Sequence, residues 1–184
     1  MPQPNIINNF ISKETAFLIH NDFKTKVEED GCDKNHPNGI YRLAIKDPRV
    51  KNLEKISNSK DYIIDIIKLI IDSVSSQFNI PKINIETHSV SYTILKNNQS
   101  LPYHNVFSVD KHRNVYSAIL YLTDDYEGGE IIFYDNQEYN KSQKYKLDSG
   151  SLIYFNGTED MHHEVLEVIS GERANIVFFF VSND

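Results

Sequence analysis

The stretch Tyr116-Ser-Ala-Ile-Leu-Tyr-Leu-Thr-Asp-Asp-Tyr-Glu-Gly-Gly-Glu130 decides the fold. It opens as a strand, Val115 to Leu122, rich in the β-branched, aromatic and aliphatic residues that suit a pleated surface. It breaks at the turn residues Glu127–Gly129 and resumes as a second strand, Glu130 to Tyr134. Working outward, the same alternation of strand and turn continues. Ile83 to Leu95 lies before it, and Ser151–Phe155, Glu164–Ile169 and Ala174–Val181 lie after it. Turn clusters at Asn97–Ser100, Asp148–Gly150, Asn156–Thr158 and Ser170–Glu172 separate these runs. Many short strands with glycine-bearing turns predict a sandwich or jelly roll.

Before Pro81 the period changes. Ala16, Phe17, Ile19 and Phe23 recur at helical spacing within Ser12 to Glu29, and Ser12 with Glu14 and Thr15 supplies a capping region. The clearest helix runs from Lys60 to Phe78. Its apolar face is Ile63, Ile66, Ile67, Ile70, Ile71 and Val74, with Asp65, Lys68 and Asp72 away from the centre. Asn58 or Ser59 caps its start, and Asp61 suits the positive end of its dipole. Gly31–Gly39 has loop chemistry, and Tyr41, Leu43 and Ile45 alternate like a short strand. The predicted class is α+β, mainly β: one domain over 1–184, with mostly helical support in 1–80 and a jelly-roll core in 81–184.

Composition narrows the partners. The chain carries 26 Asp and Glu against 19 Lys and Arg, and no basic run, which excludes nucleic acid or an anionic membrane as the default partner. Cys32 is the single cysteine, so neither an internal disulfide nor a thiolate metal cluster is available. The opening MPQPNIINNF lacks the basic and apolar regions of a secretory signal, and Ile63–Ile71 and Val177–Val181 are too short to span a bilayer. A soluble, cytoplasmic protein is the expectation.

Four features carry chemistry: Tyr103-His104 after Pro102, the stretch quoted above, His163-Glu-Val-Leu-Glu-Val, and Gly171-Glu-Arg173 opening the last strand. Taken singly, each has an ordinary explanation: a hydrogen-bonded histidine, a solvated arginine, a hairpin turn. In this order and spacing, from about Tyr92 to Phe180, they resemble the iron(II)- and 2-oxoglutarate-dependent dioxygenases of the prolyl-hydroxylase-like branch. YSAILYLTDDYEGGE is similar to the collagen prolyl hydroxylase core, and HEVLEVISGERANIVFFF to the family's final His and Gly-x-Arg pattern. NIINNFISKETA is similar, less specifically, to its helical lead-in.

The resemblance implies a double-stranded β-helix (jelly roll) with N-terminal supporting helices. It implies Fe(II), 2-oxoglutarate and O2, with ascorbate as an accessory reductant. It makes His104 the first metal ligand and His163 the distal one, with His162 as a competitor that alternation turns to the other strand face. Arg173 becomes the anchor for the distal carboxylate of 2-oxoglutarate, which its planar fork can grip at two points. Tyr121 supports that carboxylate or is an ordinary core tyrosine. Ser117, four residues earlier on the same face, lines the same pocket, and Tyr92 is a weaker candidate better read as core.

The resemblance breaks at one position. The family reads His-x-Asp at the first ligand, whereas this chain reads His104-Asn105-Val106, and valine cannot bind a metal. Several readings stay open. Asp110 reaches back from the Phe107–Asn114 loop, with His112 or Asn105 as lesser substitutes; or two histidines, 2-oxoglutarate and water complete the site. A halogenase would place chloride there, although valine is bulkier than the alanine or glycine usual in such enzymes. A non-catalytic binding module is the last alternative. The implied reaction is hydroxylation of an unactivated carbon coupled to decarboxylation of 2-oxoglutarate to succinate. The implied substrate is a peptidyl proline, or an amino-acid-like small molecule, with Gly31–Gly39 and Phe107–Asn114 as specificity elements. Asp124-Asp125-Tyr126-Glu127 reads as a solvated turn before it reads as a site for a cationic substrate.

Overall fold

A computed structural model describes residues 3–30, 41–44, 59–105, 114–135, 138–157 and 161–182. Twelve strands and two helices are present among them. Strands β1 (Asn5–Ile7), β2 (Tyr41–Ala44), β3 (Ile85–Leu95), β5 (Asn114–Tyr121), β9 (Leu152–Asn156) and β12 (Arg173–Ser182) build one sheet, ordered β1-β9-β5-β12-β3-β2. Strands β4 (Leu101–His104), β7 (Ile131–Asp135), β8 (Glu138–Tyr145) and β10 (His163–Val165) build a second, ordered β4-β10-β7-β8. The two short strands β6 (Glu127–Gly128) and β11 (Val168–Ser170) pair with each other. All the pairings are antiparallel.

The period-two pattern of β5 explains the layering. Tyr116, Ala118 and Leu120 point to one side of the larger sheet. There they pack with Ala16, Ile19 and Phe23 of helix α1 (Lys13–Asp30) and with Ile63, Ile66, Ile70 and Val74 of helix α2 (Ser59–Phe78). Val115, Ile119 and Tyr121 point to the other side and join Phe133, Val165 and Phe155 between the two sheets. Seven of the eight β5 residues are buried, because helices cover one face and the second sheet covers the other. A strand covered on both faces reads as a continuous apolar run, as Val115 to Leu122 does.

The helices form as their patterns predict. The Ser12 hydroxyl accepts a hydrogen bond from the Thr15 amide at 3.1 Å, which caps α1. Phe17 departs from the expectation: it is 61% exposed, because the buried stripe of α1 is Ala16, Ile19, His20 and Phe23. Tyr92 belongs to this helical side, fully buried, stacked on Phe23 and hydrogen bonded to the His20 ring, and so lies on the face away from the inter-sheet space.

The short strand expected at Tyr41 is present as β2, which with β1 forms the two edges of the larger sheet. Three further expectations are corrected. Residues Lys82–Asn84 make a short 3-10 turn, and the strand expected from Ile83 begins at Ile85, which leaves Ile83 on the surface. The run Glu164–Ile169 is two strands, because Leu166 and Glu167 turn the chain from the smaller sheet to β6 through bonds from the Leu166 amide to Glu130 and from the Gly129 amide to Glu167. Glu127 and Gly128 are correspondingly a strand and not only a turn. Of the expected loops, Gly31–Gly39 lies outside the described residues, as does Phe107–Asn114 apart from Asn114. No helix among the described residues is long and apolar enough to cross a membrane.

Candidate active site

Strands β4 and β10 lie side by side, and their register sets His104 directly opposite His163. The two imidazole centroids are 4.3 Å apart. His163 is 4% exposed and sits between the rings of Phe133 and Phe155, 5.4 and 5.2 Å away. Each imidazole turns its Nδ1 to the carbonyl two residues upstream: His104 to Pro102 at 2.6 Å, His163 to Met161 at 3.2 Å. A carbonyl can only accept, so each Nδ1 carries a proton and donates it there. Burial, reinforced by the neighbouring His104, pushes the His163 imidazole down to about 3, so it is neutral across the physiological range. A neutral imidazole with a free Nε2 is the form that binds a divalent cation.

Among the described residues no third His, Cys, Asp or Glu joins this pair. Val106, Asp110 and His112 lie outside the described residues. His162 does not point inward. It stacks on Tyr103 on the other face of the sheet, 4.7 Å between centroids and 8° between planes.

Arg173 opens β12 and is 1% exposed. Its Nη2 donates to the Tyr121 hydroxyl at 3.1 Å, and its guanidinium carbon stands 5.0 Å from the Tyr121 ring centre. Among the described residues its Nε–H has no acceptor and no carboxylate pairs with it. A buried guanidinium left without a counter-ion is costly, so the arrangement suits an anionic ligand that brings its own carboxylate. Among the described residues the buried Tyr126 hydroxyl and Asn175 Oδ1 also make no hydrogen bond within normal limits, and burial, opposed by the nearby Arg173, holds the Tyr126 phenol well above its usual range, hence neutral.

The backbone around Arg173 is fixed locally. The Thr123 hydroxyl donates to the Glu172 carbonyl at 2.7 Å and accepts from the Ala174 amide at 2.9 Å, bracketing Arg173. Glu172 is held by Lys24 of α1 and Lys96 after β3, at 2.6 and 3.3 Å. Gly129 has φ +66°, and a Cβ there would meet Arg173 Cδ at 3.0 Å and Tyr126 Cε2 at 3.2 Å. Gly171 has φ +79°, and a Cβ would stand 2.5 Å from the Asp125 carbonyl. The glycines of the Glu-Gly-Gly-Glu and Gly-x-Arg stretches therefore let the chain close around the arginine.

The histidine pair and the arginine share one interior. Tyr121, Tyr126, Phe133 and Phe155 belong to the same buried cluster between the sheets. Ser117, opposite Phe155 on β9 and Phe179 on β12, is 1% exposed and on the same strand face as Tyr121. A metal on two imidazoles and an anion on a buried guanidinium are what this donor set can hold.

The 2OG-Fe(II) oxygenase superfamily model matches residues 88–181, which include both histidines and the arginine. The chain belongs to that superfamily. A PKHD-type hydroxylase of Prochlorococcus marinus (strain NATL1A) is 32% identical to this oxygenase-family chain over 183 residues, covering 91% of this chain and 73% of that one. Prolyl 3-hydroxylase 2 of Rattus norvegicus is 35% identical over 65 residues, which are 35% of this chain and 9% of that protein. The chain thus spans under a tenth of the length of that relative. A Trichoplax adhaerens prolyl hydroxylase, solved with a hypoxia inducible factor oxygen degradation domain peptide fragment, has the same fold: TM-score 0.76 at 16% identity, covering 97% of this chain and 83% of that one.

Of the residues singled out for this 2OG-Fe(II) oxygenase-family site, His104 and His163 are brought face to face, and Arg173 and Tyr121 are joined. Ser117 shares their interior, His162 and Tyr92 stand apart, and Val106 and Asp110 fall outside the described residues. Thr123, Tyr126, Gly129 and Asn175 were not singled out. Asn175 carries the clearest available signal, a polar residue two positions beyond Arg173 in an apolar strand. The others sit in the quoted stretch, where they read as turn chemistry.

Proposed function

We propose that this chain is an iron(II)- and 2-oxoglutarate-dependent hydroxylase acting on a prolyl residue of a peptide. The observation that carries the reading is the pairing of two imidazoles, set opposite each other with each Nδ1 on a carbonyl, with a buried arginine that has no counter-ion among the described residues. His104 and His163 would hold the metal. Arg173, steadied by Tyr121, would bind the distal carboxylate of 2-oxoglutarate and so aim its 2-oxo acid end at the histidines. With both groups bound, the chemistry supplied is decarboxylation of 2-oxoglutarate to succinate, one atom of O2 entering succinate and the other a substrate C–H bond.

The chain's own contribution is orientation and exclusion of water. Phe133 and Phe155 flank His163 with their rings, and Ser117 lies opposite Phe155 on the neighbouring strand. The position usually held by an aspartate is Val106, so two histidines leave room for 2-oxoglutarate and water to complete the metal's coordination. The peptide and prolyl parts of the proposal draw on the names of the relatives and on the peptide-bound Trichoplax neighbour. The test is succinate release from 2-oxoglutarate with iron(II) and ascorbate, with and without proline-containing peptides. Peptide-stimulated succinate and a peptide mass gain of one oxygen atom are expected. No succinate under either condition would make the chain a binding module.

A further inference from the structure

The strand that carries His104 is poorly tethered by its own ladder. β4 has four residues, sits at the edge of its sheet, and among the described residues pairs with β10 alone. That pairing has a register shift between His163 and Val165. Two strands joined so briefly do not by themselves fix the separation of the imidazoles they carry. The residues flanking the histidines tie the strands together on the opposite face. Tyr103 and Asn105 flank His104, and His162 precedes His163. The Asn105 amide donates to His162 Nε2 at 3.2 Å, the Tyr103 ring lies flat on the His162 ring, and the Tyr134 ring meets Tyr103 edge-on at 5.3 Å. The His162 carbonyl accepts from the Tyr134 amide at 3.0 Å, which pins the backbone between the Met161 carbonyl and His163.

We infer that His162, clasped by Asn105 and Tyr103, is a positioning residue that sets the distance between His104 and His163 for the metal. The inference rests on the iron-site reading above. It gives His162 a role distinct from ligation, because its Nε2 lone pair is taken by Asn105 and its ring lies on the outer side of the sheet.

The test is titration of the full chain with manganese(II), a redox-stable probe of such a site, in the presence of 2-oxoglutarate, below the unfolding temperature of every variant. His162→Phe keeps the stack and loses the hydrogen bond; His162→Gln keeps an acceptor near the Nε2 position; Asn105→Ala removes the donor. His162→Phe and Asn105→Ala are expected to weaken manganese binding by about tenfold, the worth of one hydrogen bond of roughly 1.4 kcal/mol. The double variant should be no weaker than either single one, because both remove the same bond. His162→Gln should recover most of the affinity. Metal affinity within twofold of wild type in both single variants would overturn the inference. So would additive losses in the double variant. If wild type itself takes up no manganese with 2-oxoglutarate present, the iron-site reading fails, and this inference with it.

Discussion

Arg173 is the residue whose environment is hardest to explain without a ligand. A guanidinium that is 1% exposed, with one Nη bonded to a tyrosine and its Nε unpaired among the described residues, calls for an anion. Arg173→Lys keeps the charge but loses the planar fork. It is expected to raise the KM for 2-oxoglutarate by roughly tenfold or more, with a smaller change in kcat, since one charge-assisted bond of about 1.5 kcal/mol or more is lost. Steady-state succinate kinetics over a range of 2-oxoglutarate check this; an unchanged KM would remove Arg173 from the cosubstrate site. Gly129 belongs to the same scale. Gly129→Ala forces a side chain into a left-handed conformation and against Arg173 Cδ. A stability loss of about 1–3 kcal/mol by chemical unfolding is expected, with a raised KM for 2-oxoglutarate.

At the scale of elements, the site depends on which face each strand turns inward. Alternation along the chain was enough to place His163 inside and His162 outside, and to set Ser117 beside Tyr121. It was not enough to reveal that His104 faces His163, because cross-strand register is a property of two segments far apart in sequence. The strand β8 was invisible for a related reason. Its sequence, Glu138 to Tyr145, is mostly polar, as suits the outer edge of a sheet, and the inward contact of Tyr145 with Phe133 at its end is too little apolar alternation to read as a strand. Gly129 looked like turn chemistry because its second role, giving room to an arginine more than forty residues later, exists only in the folded chain. The helices were more legible, since Ile66, Ile70 and Val74 bury a continuous stripe against the larger sheet. Ile70→Ala, at a fully buried position of α2, is expected to destabilise the fold by about 2–5 kcal/mol with the KM for 2-oxoglutarate unchanged. Urea unfolding and succinate kinetics on the same variant separate the two effects.

For the whole molecule, the helical layer supports one face of the larger sheet while the proposed site lies on the other, so fold stability and the proposed metal site meet in the buried His163. His163 is held neutral down to about pH 3, whereas in the unfolded chain it takes up a proton near pH 6.5. Above that range both states are neutral and the shift contributes nothing. As pH falls below about 6.5 the unfolded state binds a proton that the folded state refuses, so the metal-free protein loses stability, by up to roughly 1.4 kcal/mol per pH unit. His20, buried against Tyr92 with its imidazole also shifted downward by burial, acts in the same direction. Urea unfolding between pH 7 and pH 5 should show this decline, and His163→Gln should flatten it; an equal slope in the variant would mean that His163 is not held neutral by the fold.

The central claim is that His104, His163 and Arg173 hold iron(II) and 2-oxoglutarate together, with no aspartate at position 106. Anaerobic titration of the wild-type chain with iron(II), with and without saturating 2-oxoglutarate, tests it most directly. Two imidazoles alone should hold the metal weakly, and 2-oxoglutarate anchored on Arg173 should tighten it by about tenfold or more. Equally tight binding in both titrations would show a further protein ligand completing the site, and no iron uptake even with 2-oxoglutarate would contradict the account.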